Sequence, residues 1–156
     1  MDDSGARFFL KGEYYYRHVG ELCVSLCVAK TITDADWREY LEGTLAISRT
    51  FGHVPRVGIV RFMGVHPNAG QRRMTVEFLA RENIRPLDRL ALLTDNDLLR
   101  GAMIAFGWAV PKFRLRAFKE NDHAGAFRWA REAAEFDEAQ AAAVWNEARA
   151  KLRVPG

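Results

Sequence analysis

From residue 14 to residue 136 this sequence alternates between two hydrophobic periods. Short runs rich in β-branched and aromatic residues take turns with segments whose apolar residues recur at helical spacing. A pattern that switches between periods of 2 and 3.6 in this way restricts a chain to α/β architectures, because strands separated by helices return by crossovers into a largely parallel sheet. The segment "YYYRHVGELCVSLCVAK" reads as two strands joined at Gly20-Glu21, with Leu22, Val24, Leu26 and Val28 alternating on one face. "TITDADWREYLEGTLAISRTFG" follows as a long amphipathic helix. Thr33 is placed to cap it, Asp36 to complete the cap, and Gly52 to stop it, while Trp37, Tyr40, Leu41, Leu45, Ser48 and Phe51 recur along it. The strands "RVGIVRFMG", "DRLALLTD" and "KFRLRAF" then alternate with the helices "NAGQRRMTVEFLARENI", "NDLLRGAMIAFGWAV" and "NDHAGAFRWAREAAEF". In "KFRLRAF", Arg114 and Arg116 alternate with apolar neighbours as an edge strand requires. The expected fold is a single α/β domain of order ββαβαβαβα, a mixed but mostly parallel sheet flanked by helices. An extra C-terminal helix over residues 137–153 carries the stripe Ala141, Val144, Trp145, Ala148 and Leu152.

Composition narrows the function classes. A chain of 156 residues buries roughly two thirds of its unfolded surface without disulfides or metals. No stretch reaches the roughly 20 apolar residues of a membrane span, and the N-terminus lacks the basic-then-apolar order of a signal peptide, so a cytoplasmic protein is expected. Cys23 and Cys27 lie about 13 Å apart along one strand, beyond disulfide reach, and read as small core residues. The four histidines are scattered and no second cysteine pair exists, so neither a metal nor a cofactor is expected. The net charge is +3, but its 18 Arg and 5 Lys interleave with 20 acids, and nucleic acid is not an expected partner.

The order of elements, with the stretch "DRLALLTDNDLLRGAMIAFGWAVPKFRLRAFKENDHAGAFRWARE", resembles the SpoIIAA-like branch of the STAS domain superfamily. The likeness rests on "LALLTDN" running into an apolar helix, on the short strand ending in Phe118, and on "AGAFRWA". It covers residues 12–133, and residues 134–156 read as a helical extension packed on the domain or on a partner. The resemblance implies a non-enzymatic regulatory or protein-interaction module, and also a likeness to CRAL-TRIO lipid-binding domains. In switching members of the superfamily a phosphorylated Ser or Thr sits where the third strand gives way to the second helix. Here that stretch is "GVHPNAGQRR", without a hydroxyl until Thr75, so the usual phosphoswitch is expected to be missing.

Two strand-to-helix turns carry the candidate site residues. In the first, Asn68 reads as a helix cap with Gln71 reaching back, Pro67 fixing the entry, and Arg72 and Arg73 offering positive charge to an anion at the helix start. The second, "TDNDLLRG", offers Asp95 and Asp97, the latter paired with Arg100 at i,i+3. Both turns are expected at the carboxyl ends of parallel strands, where open α/β sheets hold ligands. An enzyme would use His66 as base and Asp95 as its orienter, but the sequence places no nucleophile beside them.

The helix at 96–110 is the most informative about partners. Leu98, Leu99, Ala102, Met103, Phe106 and Val110 supply the stripe that faces a sheet. Gly101, Ile104, Ala105 and Trp108 form a second stripe that something should cover, either the Trp145 helix or a second molecule. Tyr14, Tyr15 and Tyr16 divide between two faces of their strand, half of the set being core. The expected function is a protein-interaction module binding a protein partner or a second copy of itself; the alternative is a binder of lipid or another small apolar ligand.

Overall fold

A computed structural model of the chain describes residues 5–108 and 113–155, and for residues 106–108 the backbone only. Six strands and five helices are found among these residues: β1 (Arg7–Phe9), β2 (Tyr14–Val19), β3 (Leu22–Cys27), α1 (Asp34–Phe51), β4 (Val57–Phe62), α2 (Ala69–Arg81), β5 (Arg89–Leu93), α3 (Asp97–Trp108), β6 (Arg114–Phe118), α4 (His123–Arg131) and α5 (Glu138–Lys151). The strands form one mixed sheet in sequence order, β1-β2-β3-β4-β5-β6. β1, β2 and β3 pair antiparallel, and β3 through β6 pair parallel.

That order decides which helix covers which face. Each of the three parallel crossovers steps one strand in the same direction, so right-handed connections put α1, α2 and α3 on one face. α4 and α5 are left to cover the other. Side-chain alternation agrees: Leu22, Val24, Leu26, Val57, Ile59, Ala91 and Leu93 share a core with Phe127 and Trp145 of α4 and α5. On the opposite face Tyr14, Tyr16, Cys23 and Cys27 pack with Trp37 and Leu41 of α1 and Phe78 of α2. Val60 and Leu92 meet Leu99 and Met103 of α3.

Local chemistry places the helix ends. Thr33 accepts from the amide of Asp36, whose carboxylate accepts from the Thr33 amide, and Gly52 ends α1 in the left-handed region at φ 78°. Asp122 caps α4 by accepting from the amide of Gly125.

Four expectations need correction. A strand precedes the predicted hairpin: β1 runs beside β2 with Phe9 opposite Tyr14, upstream of residue 12, so the observed order opens on three strands. Three residues are too few to display a period, and what docks them is a contact distant in sequence. Phe9 lies over Gly43 of α1, where an added Cβ would fall 2.2 Å from the ring. All three tyrosines, not half of them, are buried, because β2 lies inside the sheet with α1 and α5 against its two faces. Phe51 is half exposed and stacks on His18 at 5.0 Å. Finally, α5 does not cover α3; it follows α4 onto the opposite face of the sheet, where Trp145 is 1% exposed within the chain's own core. Trp145, expected as part of a partner interface, is instead packed inside this chain.

Candidate functional site

The two predicted turns lie at the carboxyl ends of β4 and β5. In the first, β4 passes so close to the chain after β3 that a Cβ on Gly64 would sit 2.5 Å from the Ala29 carbonyl, which accepts from the Val65 amide. Asn68 and Gln71 then form a reciprocal cap: Asn68 Oδ1 accepts from the Gln71 amide at 2.8 Å, and Gln71 Oε1 from the Asn68 amide at 3.1 Å. Arg72 donates to the Pro67 carbonyl at 2.5 Å, and His66 Nδ1 lies 3.1 Å from the same oxygen. Arg73 is exposed. Thr75 Oγ1 accepts from Trp37 Nε1 at 2.9 Å and donates to the Gln71 carbonyl at 3.1 Å.

In the second turn Asn96 Oδ1 accepts the amides of Leu98 and Leu99 and so starts α3, while Asp95 Oδ1 accepts the Glu120 amide at 3.2 Å. Asp97 and Arg100 form the expected surface pair at 3.3 Å. His66 and Asp95 are not joined. Each is turned toward its own neighbours, so the proposed base and orienter do not assemble into a pair.

The structure instead brings together residues that the sequence left scattered. Between the sheet and helices α1 and α2 lies a cavity of about 210 Å³. Its floor is Tyr14, Tyr16, Cys23 and Ser25, its roof Trp37, Tyr40, Thr44 and Phe78. The lining runs from Pro67 and Arg72 at the carboxyl edge of the parallel strands to Val54, Pro55 and Pro86 at the opposite edge, with Met103 of α3 at the side. Its walls are aromatic and apolar, dotted with hydroxyls. The Tyr14 hydroxyl donates to that of Tyr40 at 3.3 Å. Burial holds both phenols above their ordinary range, so they stay neutral hydrogen-bonding groups. Burial likewise pushes the Cys23 thiol up to about 12, which leaves it a packing group and not a nucleophile. Two arginines line the cavity, and they differ: Arg85 is paired with Asp88, whereas Arg72 has no carboxylate partner among the described residues.

Sequence reading placed Trp37, Tyr40 and Ser48 on the inner stripe of α1 but missed the space beneath them. A signal was present. Thr44 lies seven residues after Trp37 and four before Ser48, so two hydroxyl residues occupy sheet-facing positions that a tight core fills with aliphatic groups.

The second stripe of α3 is partly open. Gly101 and Ala105 are exposed and Ile104 is half-buried, while the side chain of Trp108 lies outside the described residues, as do those of Phe106 and Val110. Leu98, assigned to the sheet-facing stripe, is 85% exposed. It is about 100° round the helix from Leu99, which with Met103 sets the buried direction.

Among the described residues no three His, Cys, Asp or Glu side chains are grouped to hold a metal, and no described helix is long and apolar enough to cross a membrane. Compared with protein-family models, with curated proteins and with solved structures, the chain matches none of them.

Proposed function

We propose that this chain binds a small apolar ligand with one acidic end in the cavity between the sheet and helices α1 and α2. The observation that carries this reading is the cavity itself, about 210 Å³ of aromatic-walled space inside a domain of this size. An apolar cavity of about 150 Å³ suffices to hold benzene, so the space takes a ligand of about ten heavy atoms. Its described lining contains neither a carboxylate nor an imidazole, which favours holding a molecule over transforming it. Arg72, uncommitted to any carboxylate among the described residues, is placed to receive the acidic end.

Octanoate and 1-octanol, alike but for the charge, separate the two parts of the reading. Both should bind the wild type, and Arg72→Gln should weaken octanoate about tenfold while leaving octanol unchanged. Failure of both ligands to bind at millimolar concentration removes the cavity reading; equal loss of both in the variant removes the role of Arg72.

A second reading follows the STAS resemblance: a regulatory module that engages a protein partner or a second copy through the turns and α3. The exposed Leu98, beside the exposed small residues Gly101 and Ala105, favours it. Such a module is not switched in the usual way, since Thr75 is tied to Trp37 and to its own helix. Light scattering of Leu98→Glu tests it. A fall from dimeric to monomeric mass supports the reading, and an unchanged monomeric mass in wild type and variant counts against self-association.

A further inference from the structure

On the face of the sheet opposite the cavity, one position breaks the apolar pattern. The row Tyr15, Leu26, Arg61, Leu93 and Phe118 crosses five paired strands, and every member but Arg61 is an apolar or aromatic core residue. Arg61 belongs to β4 near its carboxyl end, and its side chain is only 11% exposed. Burying a guanidinium in such a row is costly unless its donors are met. One of them is met by Glu120, just past the end of β6. The Nε–H is not: it is buried and has no acceptor among the described residues.

A second guanidinium enters the same place from α5. That helix lies over β2 and β3, and Glu147 turns toward β2, where it binds Tyr15 and Arg17. Arg149, about 200° further round the helix, leaves α5 on the side of its buried face opposite Glu147, and so away from β2. Its Nε–H is also buried without an acceptor, and no carboxylate lies within ion-pair distance of it among the described residues. The two cations are near enough to feel each other. Burial first, and then repulsion from Arg149, push the Arg61 guanidinium below its ordinary range, with Asp95 acting in the opposite sense.

We propose that Arg61 and Arg149 form the floor of a binding site for a small oxyanion, a phosphate or carboxylate group, between α5 and the carboxyl ends of β4, β5 and β6. Two guanidiniums with unspent, buried N–H donors match the oxygens of such a group, which would relieve their repulsion and satisfy both Nε–H groups. The location is the edge at which open α/β sheets hold ligands, on the side away from the cavity. Asp95 and Glu120 form the rim and limit how much negative charge the site accepts.

The test is a titration of the full chain with inorganic phosphate, and separately acetate, at constant ionic strength made up with chloride, read at the arginine Nε–H resonances. Arg61 and Arg149 should shift together and saturate, with half-saturation by one of the two anions at or below about 5 mM. Arg149→Gln should weaken that binding about tenfold, with the melting temperature confirming that the variant folds. Asp95→Asn keeps the acceptor for the Glu120 amide but removes a rim charge, and should tighten it several-fold, an effect no loss of structure produces. Unsaturated drift with both anions, an Arg149→Gln variant that binds like wild type, or no tightening in Asp95→Asn overturns the proposal.

Discussion

At position 71 a glutamine is almost fully buried, at 1% exposure. Its Oε1 accepts the Asn68 amide, and its Nε2 donates to the Ile32 carbonyl at 2.8 Å and to Asp34 at 3.2 Å, tying the start of α2 to the start of α1. Gln71→Ala leaves the Ile32 carbonyl without its donor and is predicted to cost about 2–3 kcal/mol, measured by urea unfolding. The capping pair was legible in the sequence, since Asn and Gln three residues apart before an apolar run have a local geometry. The bonds to Ile32 and Asp34 were not, because they join residues almost forty positions apart. His18 carries a second prediction. It is buried against Phe51 and His53, its Nε2 lies 2.7 Å from the Tyr16 hydroxyl, and its Nδ1 has no partner among the described residues. Burial first, then the neighbouring His53, lower it to about 4 from an unfolded value near 6.5. The unfolded chain therefore binds the proton more readily, so stability is full above about pH 6.5 and falls as pH drops toward 4, by on the order of 2–3 kcal/mol. Unfolding midpoints at pH 7 and 4.5 check the sign, and His18→Gln should flatten the difference.

At the scale of elements, the attachment of β1 depends on a missing side chain. Gly43 of α1 leaves room for the Phe9 ring, and the backbone between β1 and β2 turns through Leu10, Lys11 and Gly12 at φ 54°, 58° and 87°. Gly43→Ala is predicted to expel Phe9 and destabilise the chain by about 1–3 kcal/mol, despite the higher helix propensity of alanine. Hydrogen exchange at the β1–β2 ladder reads this directly: faster exchange there is expected, and unchanged protection would show that Phe9 does not need the gap. The helices were legible because caps and apolar stripes are local properties. Leu98 shows the limit of that legibility, since a leucine at the margin of a stripe is assigned by a rotation that only packing against Val60 and Leu92 fixes.

For the whole molecule, alternation implied a mostly parallel sheet but not the order of its strands; with the observed order, right-handed crossovers place α1, α2 and α3 on one face. What alternation does not reveal is a gap between correctly placed elements. The cavity arises because Thr44 and Ser48 face the sheet beside large rings and do not fill the space beneath them. Filling it should trade binding for stability. Thr44→Phe removes a hydroxyl that, among the described residues, bonds only to the Leu41 carbonyl of its own helix, and adds a ring over the cavity. A rise in melting temperature of a few degrees is predicted, corresponding to about 1 kcal/mol. Octanoate titration of the wild type and of Thr44→Phe, followed by backbone amide shifts, tests the central claim most directly. The cavity reading predicts saturable shifts at Ser25, Tyr40, Thr44 and Thr75 in the wild type and their loss in the variant; no saturable shift at these residues, or the same titration in both proteins, contradicts it.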